Sequence, residues 1–209
     1  MPLVLPSGSK LFMNTIESPR PRIRTFDLNL VAGAFLDQQS PFEHGATSRL
    51  SNGDDTHNAI QFSNGPSGTD VGSIVQWNYN GTPNFANRIT GRIIVGPNTG
   101  YPYPPAGEHI SGISFNRTGL LGVSIVGDLR NLTLLNGELL YVDSDPQTNP
   151  DNFVCRVGHH RTADDSYFAE PHVTISPSGT RMLFGSSWGT RTIGLEINSY
   201  VVELPGYKP

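Results

Sequence analysis

The 209-residue chain has one cysteine, Cys155, so no internal disulfide framework can hold it. That alone does not fix its compartment, because a secreted bacterial chain can also lack disulfides. Charge is sparse: Asp, Glu, Lys and Arg make up 15% of the residues, and 14 basic against 18 acidic side chains leave a net charge of −4. No Lys/Arg-rich run occurs, which removes the electrostatic footprint that nucleic-acid binding requires. No apolar stretch approaches the roughly 18 to 20 residues of a membrane-spanning helix. The opening "MPLVLPSGSKLFM" has no basic segment followed by an apolar one, and as it stands it is not a signal peptide. No segment combines a 3.6-residue apolar period with caps at both ends, so helices are not expected.

What is abundant is turn chemistry. With 23 Gly and 17 Pro, almost a fifth of the chain is built to bend. Between the bends lie short β-branched or aromatic runs such as "RIRTFDLNL", "SIVQWNY", "LLGVSIVGD", "ELLYVDSD", "FVCRVG" and "TRMLFGSS". Runs of this kind, bounded by Gly, Pro, Asn and Asp, predict half-buried antiparallel strands and an all-β class.

The runs repeat in order. "HVTISPSGTRMLF" reads strand, "PSG" turn, strand, with "SYVVELP" as a third strand, and "LPSGSKLFMNT" near the start matches it almost position for position. "THNAIQFSNGPSGTDVGSIVQWNYN" and "EHISGISFNRTGLLGVSIVGD" follow the same grammar between them. Such repetition predicts a single β-propeller domain of about four blades, with approximate limits 1–50, 51–105, 106–165 and 166–209. Three forms fit: a closed four-blade ring, a piece of a longer propeller, or a partial propeller that covers its open edges by pairing with another copy.

The stretch "HVTISPSGTRMLFGSS" with "YVVELP" resembles the strand-turn-strand of WD40-like, TolB-type bacterial propellers. "CRVGHH", "YFAEPH" and "ISPSGTRMLFGSSWG" together resemble the last blades of uncharacterised members of that group and, more distantly, the oligogalacturonate lyase propellers. The match covers the final 60 residues and "LPSGSKLFM". It implies a fold more strongly than an activity.

In this register His57, His109 and His172 open the first strands of three successive blades, at steps of 52 and 63 residues. First strands line a propeller's channel, so these imidazoles would meet at its mouth, where ligation needs approach to about 2.0–2.2 Å of a metal. The lyase resemblance implies a divalent metal on these three positions; Ca, Mn or Zn are the candidate ions, and His159 and His160, just before the last blade, and Glu170 would complete the shell. His109, His172 and Glu170 would then be the catalytic groups. The competing reading makes each histidine a structural residue that donates to a neighbouring blade's carbonyl. His44 reads as a surface loop residue.

"DSDPQTNPDN" places Asp143, Asp145 and Asp151 in one loop and suggests either Ca²⁺ ligation or plain Asx turns. With a calcium at the channel mouth, Glu43, Asp54, Asp55 and Glu108 would be the carboxylates to follow. Tyr101, Tyr103, Tyr167, Phe168 and Trp188 offer aromatic surfaces for stacking a sugar, or for packing loop corners.

Two functional expectations follow. One is a metal-dependent hydrolase of the lactonase kind, or a polysaccharide lyase, acting on a small polar lactone, ester or uronate sugar. The other is a non-catalytic propeller that binds a carbohydrate or protein partner. A homo-oligomer formed through open propeller edges accompanies either.

Overall fold

The structure is a computed structural model and describes residues 3–15, 22–37, 44–61, 72–96, 107–125, 135–151, 153–162, 169–189 and 196–204. Among these there is no α-helix, and the all-β expectation holds. Tyr101, Tyr103, Tyr167, Phe168 and Glu43 lie outside the described residues.

Four small sheets form in chain order. The first contains β1 (Leu3–Val4), β2 (Lys10–Thr15), β3 (Arg22–Asp27) and β4 (Ala32–Leu36) as an antiparallel meander. The second contains β5 (Gly45–Arg49), β6 (Asp55–Ile60) and β7 (Ile74–Asn78). The short β8 (Arg88–Ile89) then crosses to pair in parallel with β4, and β9 (Arg92–Val95) completes the second sheet against β7. The third holds β10 (Gly107–Ser111), β11 (Leu120–Ile125), β12 (Glu138–Asp143) and β13 (Phe153–His159). The fourth holds β14 (Thr174–Ile175), β15 (Arg181–Ser186) and β16 (Asn198–Glu203). None of the sheets closes on itself.

A glycine makes the first turn of every sheet. Gly8, Gly53, Gly119 and Gly179 all sit between the first and second strands with φ of +72°, +91°, +73° and +68°. A side chain is strained in that region, and Gly pays no such penalty. In the two "PSG" turns the glycine amide donates to the residue three back, Gly8 to Leu5 and Gly179 to Ser176, each at 2.8 Å. The second sheet uses "LSNG" in the same way, with Gly53 donating to Leu50 at 3.0 Å.

The sheets stack face to face in sequence order, because alternate side chains of one strand serve two different cores. In β6 and β7, Ala59, Val75 and Trp77 face Phe12, Ile23 and Leu36 of the first sheet. Their neighbours Ile60 and Ile74 face Leu121, Val123, Leu140 and Val142 of the third. On the third sheet's other face Leu120, Leu139 and Tyr141 meet Ile175, Met182 and Phe184 of the fourth. Every residue of β6 and of β11 is therefore buried. In β15 only alternate residues are, as expected of a sheet covered on one face.

The turns also tie one sheet to the next. Ser7 donates its amide to Asp55 Oδ1 (3.0 Å) and its hydroxyl to Asp55 Oδ2. The Ser51 amide donates to Asp145 Oδ2 (2.6 Å), and the Asn116 amide donates to the Pro177 carbonyl (3.0 Å). Asp145 is fully buried and also receives the Gln147 amide at 3.0 Å, while Asp143 receives the Asp145 amide and the Asn149 side chain. The acidic loop thus spends these carboxylate oxygens on its own turn and on the neighbouring sheet.

Candidate metal centre on the first strands

Three first-strand segments bring their side chains together. His44 immediately precedes β5, His109 lies in β10, and Glu170 and His172 precede β14. The His109 and His172 rings are 4.0 Å apart between centroids, and His44 stacks on His109 at 4.5 Å with 24° between planes. Glu170 Oε2 lies 3.7 Å from His109 Nε2, with the two side chains only 16% and 15% exposed. One ligand atom each from His109, Glu170 and His172 falls within 4.8 Å of the others.

Local structure explains the convergence. Ala169 is fully buried and anchors the segment, and the Pro171 carbonyl accepts the Gly185 amide at 2.8 Å, which pins it against β15. Pro171 favours an extended Glu170 before it. His172 then takes φ +44°, a left-handed conformation that costs a non-glycine residue of the order of 1 kcal/mol or more. The exposed imidazole is held in this strained backbone beside His109.

Burial favours the neutral form of His109. Burial above all, then the neighbouring His172 and His44 rings, push the His109 pKa down to about 4. His109 is therefore a free base at neutral pH, the form in which an imidazole ligates a metal. Its Nδ1 and Glu170 Oε2 are both buried and have no hydrogen-bond partner among the described residues. Two imidazoles and a carboxylate suit zinc or another first-row ion, whereas calcium prefers an all-oxygen shell.

The other residues singled out in the sequence lie elsewhere. His57 does not open a first strand: it sits in the middle of β6, and its odd-numbered position shares the face of Ala59. Its ring is buried among Phe12 (5.7 Å), Trp77 (5.8 Å) and Tyr79 (6.3 Å) in the core between the first two sheets. His159 ends β13, the outermost strand of the third sheet, with β10 at the opposite edge, so about three strand spacings, or ~14 Å, separate them. His160 is buried with both ring nitrogens engaged: Nε2 donates to the Ile125 carbonyl at 2.9 Å, and Nδ1 accepts the Thr162 amide at 3.1 Å. Trp188 packs on Tyr200 at 5.0 Å.

His44 takes the place that sequence reasoning gave to His57. The signal was the glycine turn that follows each first strand, since His44 stands nine residues before Gly53 and His109 ten before Gly119. Reading "NGPSG" rather than "LSNG" as the second turn shifted the register by one strand. The second sheet accordingly begins at Gly45, ahead of the limit between residues 50 and 51.

The arrangement defines a class: an all-β stack with a His/Glu/His cluster drawn from β10 of the third sheet and the segment just before β14 of the fourth. No protein-family model matches the chain, and no curated protein matches it.

Proposed function

We propose that the four stacked sheets are consecutive blades of a β-propeller and that His109, Glu170 and His172 hold a divalent transition metal at its channel mouth. The observation that carries this reading is the approach of three ligand atoms to within 4.8 Å of one another, one from the third sheet and two from the segment that leads into the fourth. A metal held there would act as a Lewis acid on a substrate carbonyl or carboxylate. Glu170 and His109 are the more enclosed ligands, and exposed His172 marks the side on which a substrate enters. His44, stacked on His109, is the imidazole placed to take or return a proton beside the metal. The substrate class that suits this set is a small polar lactone, ester or uronate sugar, opened by hydrolysis or by elimination.

The test is elemental analysis of the purified chain and of His109→Ala, together with turnover on a panel of lactones and uronates. Wild type carries about one metal per chain and turns over a member of the panel, and the variant loses both. Metal retention without turnover supports a non-catalytic binding module. Equal metal content in the two proteins rules out the centre.

A further inference from the structure

His109 reaches the cluster from one sheet, and Glu170 and His172 reach it from the lead into the next. The spacing of their ligand atoms therefore depends on what joins β10 to β14. The step from Gly107 to His109 spans two residues of β10 against one of β11. From there the pairing is regular, with His109 opposite Ser124, Ile110 opposite Val123 and Ser111 opposite Gly122. A bulge of this kind re-aims the side chains beside it. Ile110 turns into the core shared with the second sheet, and alternation puts His109 and Ser111 together on the other face, towards the fourth. Ser111 thus stands about 7 Å along the strand from His109.

At that level Ser111 bridges to β14. One edge of β14 pairs with β15, and on the other the Ile175 amide donates to Ser111 Oγ at 3.2 Å. Ser111 Oγ also lies 3.3 Å from Thr174 Oγ1. Having accepted from the amide, the serine oxygen keeps its own proton for the threonine, so one hydroxyl holds two consecutive residues of β14. Ser111 is two residues beyond His109, and Thr174 two beyond His172. Ser111 is 7% exposed and Ile175 fully buried, which leaves this amide no solvent to turn to.

We infer that Ser111 is a positioning residue for the metal centre proposed above, on which its role depends. It touches neither the metal nor the substrate. Its hydroxyl fixes how closely His109 on the third sheet meets Glu170 and His172 on the lead to the fourth. Partners that hold ligands in place in this way govern the affinity and geometry with which an ion is taken up.

Calorimetric zinc titration and the visible spectrum of the cobalt(II)-loaded protein test this on wild type, Ser111→Ala, Ser111→Thr and Ser114→Ala. Ser114 is the control, because its buried hydroxyl donates to the Arg117 and Leu120 carbonyls of its own sheet and has no part in the tie. Ser111→Ala should bind zinc about tenfold more weakly and shift the cobalt bands, since the ligands meet at a changed spacing. Ser111→Thr keeps a hydroxyl and should restore both, and Ser114→Ala should match wild type. Thr174→Val leaves the Ile175 amide its acceptor and should weaken zinc by a smaller factor, with Thr174→Ser at wild-type affinity. That pair decides the matter if Ser111→Ala does not fold. Wild-type affinity and spectrum in Ser111→Ala, or in Thr174→Val where it stands in, overturn the positioning role and leave the metal centre standing. An equal loss in Ser114→Ala also overturns it, as a general effect of stability. A wild type that binds no zinc overturns the centre itself, and the role of Ser111 falls with it.

Discussion

Acid should destabilise this protein through a histidine that lies outside the candidate metal centre. His57 is 4% exposed, both ring nitrogens lack a hydrogen-bond partner among the described residues, and three aromatic rings surround it. Burial lowers its pKa from 6.5 to about 4. The folded state therefore binds the proton more weakly than the unfolded chain does. The contribution of the neutral ring is fully present above pH 6.5 and is lost as pH falls from there towards 4. A shift of this size is worth about 3 kcal/mol in full, of which about 2 kcal/mol is gone by pH 5. His57→Leu keeps roughly the volume and removes the titration. Urea unfolding of both proteins from pH 8 to 4.5 isolates the effect, since His109 and His160 titrate equally in each and cancel in the difference. The variant should gain about 2 kcal/mol on wild type between pH 7.5 and pH 5. Parallel curves over that range would refute the reasoning and mean that His57 is solvated or paired.

Other substitutions test the stack. Met182→Ala empties a fully buried position between the third and fourth sheets and should cost about 2–5 kcal/mol in chemical unfolding. Gly179→Ala forces a side chain onto φ +68°, with its Cβ 2.7 Å from Leu120 Cδ2, and should lower the unfolding midpoint by more than about 1 kcal/mol allows for the backbone alone. Arg181→Ala removes a pair with Glu203 in which both side chains are mostly exposed, and thermal unfolding should move by no more than about 0.5 kcal/mol.

Some of this was legible in the residues, for definable reasons. The "PSG" turns at Gly8 and Gly179 announce themselves, because Pro sets one dihedral and Gly permits the next. Alternation in "TRMLFGSS" marks a sheet with one covered face, and β15 is such a strand. The middle sheets were harder. With both faces buried, "DTHNAI" and "IVQWN" carry no alternation to fix their register, and a buried His57 looks in sequence like an exposed one. The parallel crossing of β8 onto the first sheet leaves no local mark in "RIT". His109 and His172 stand out because a histidine recurs near a first strand, and Glu170 because it lies two residues before His172. His44 lies in "PFEHGATSR", which reads as loop until Gly53 is recognised as the turn that follows it.

Calorimetric titration of zinc into chelator-washed protein bears on the metal centre with the fewest intervening assumptions. One equivalent per chain should bind to wild type, with His109→Ala and His172→Ala each weakening it by about a hundredfold or more and His159→Ala leaving it unchanged. Zinc that binds equally well to wild type and to His109→Ala, or no zinc at all, would contradict the centre described here.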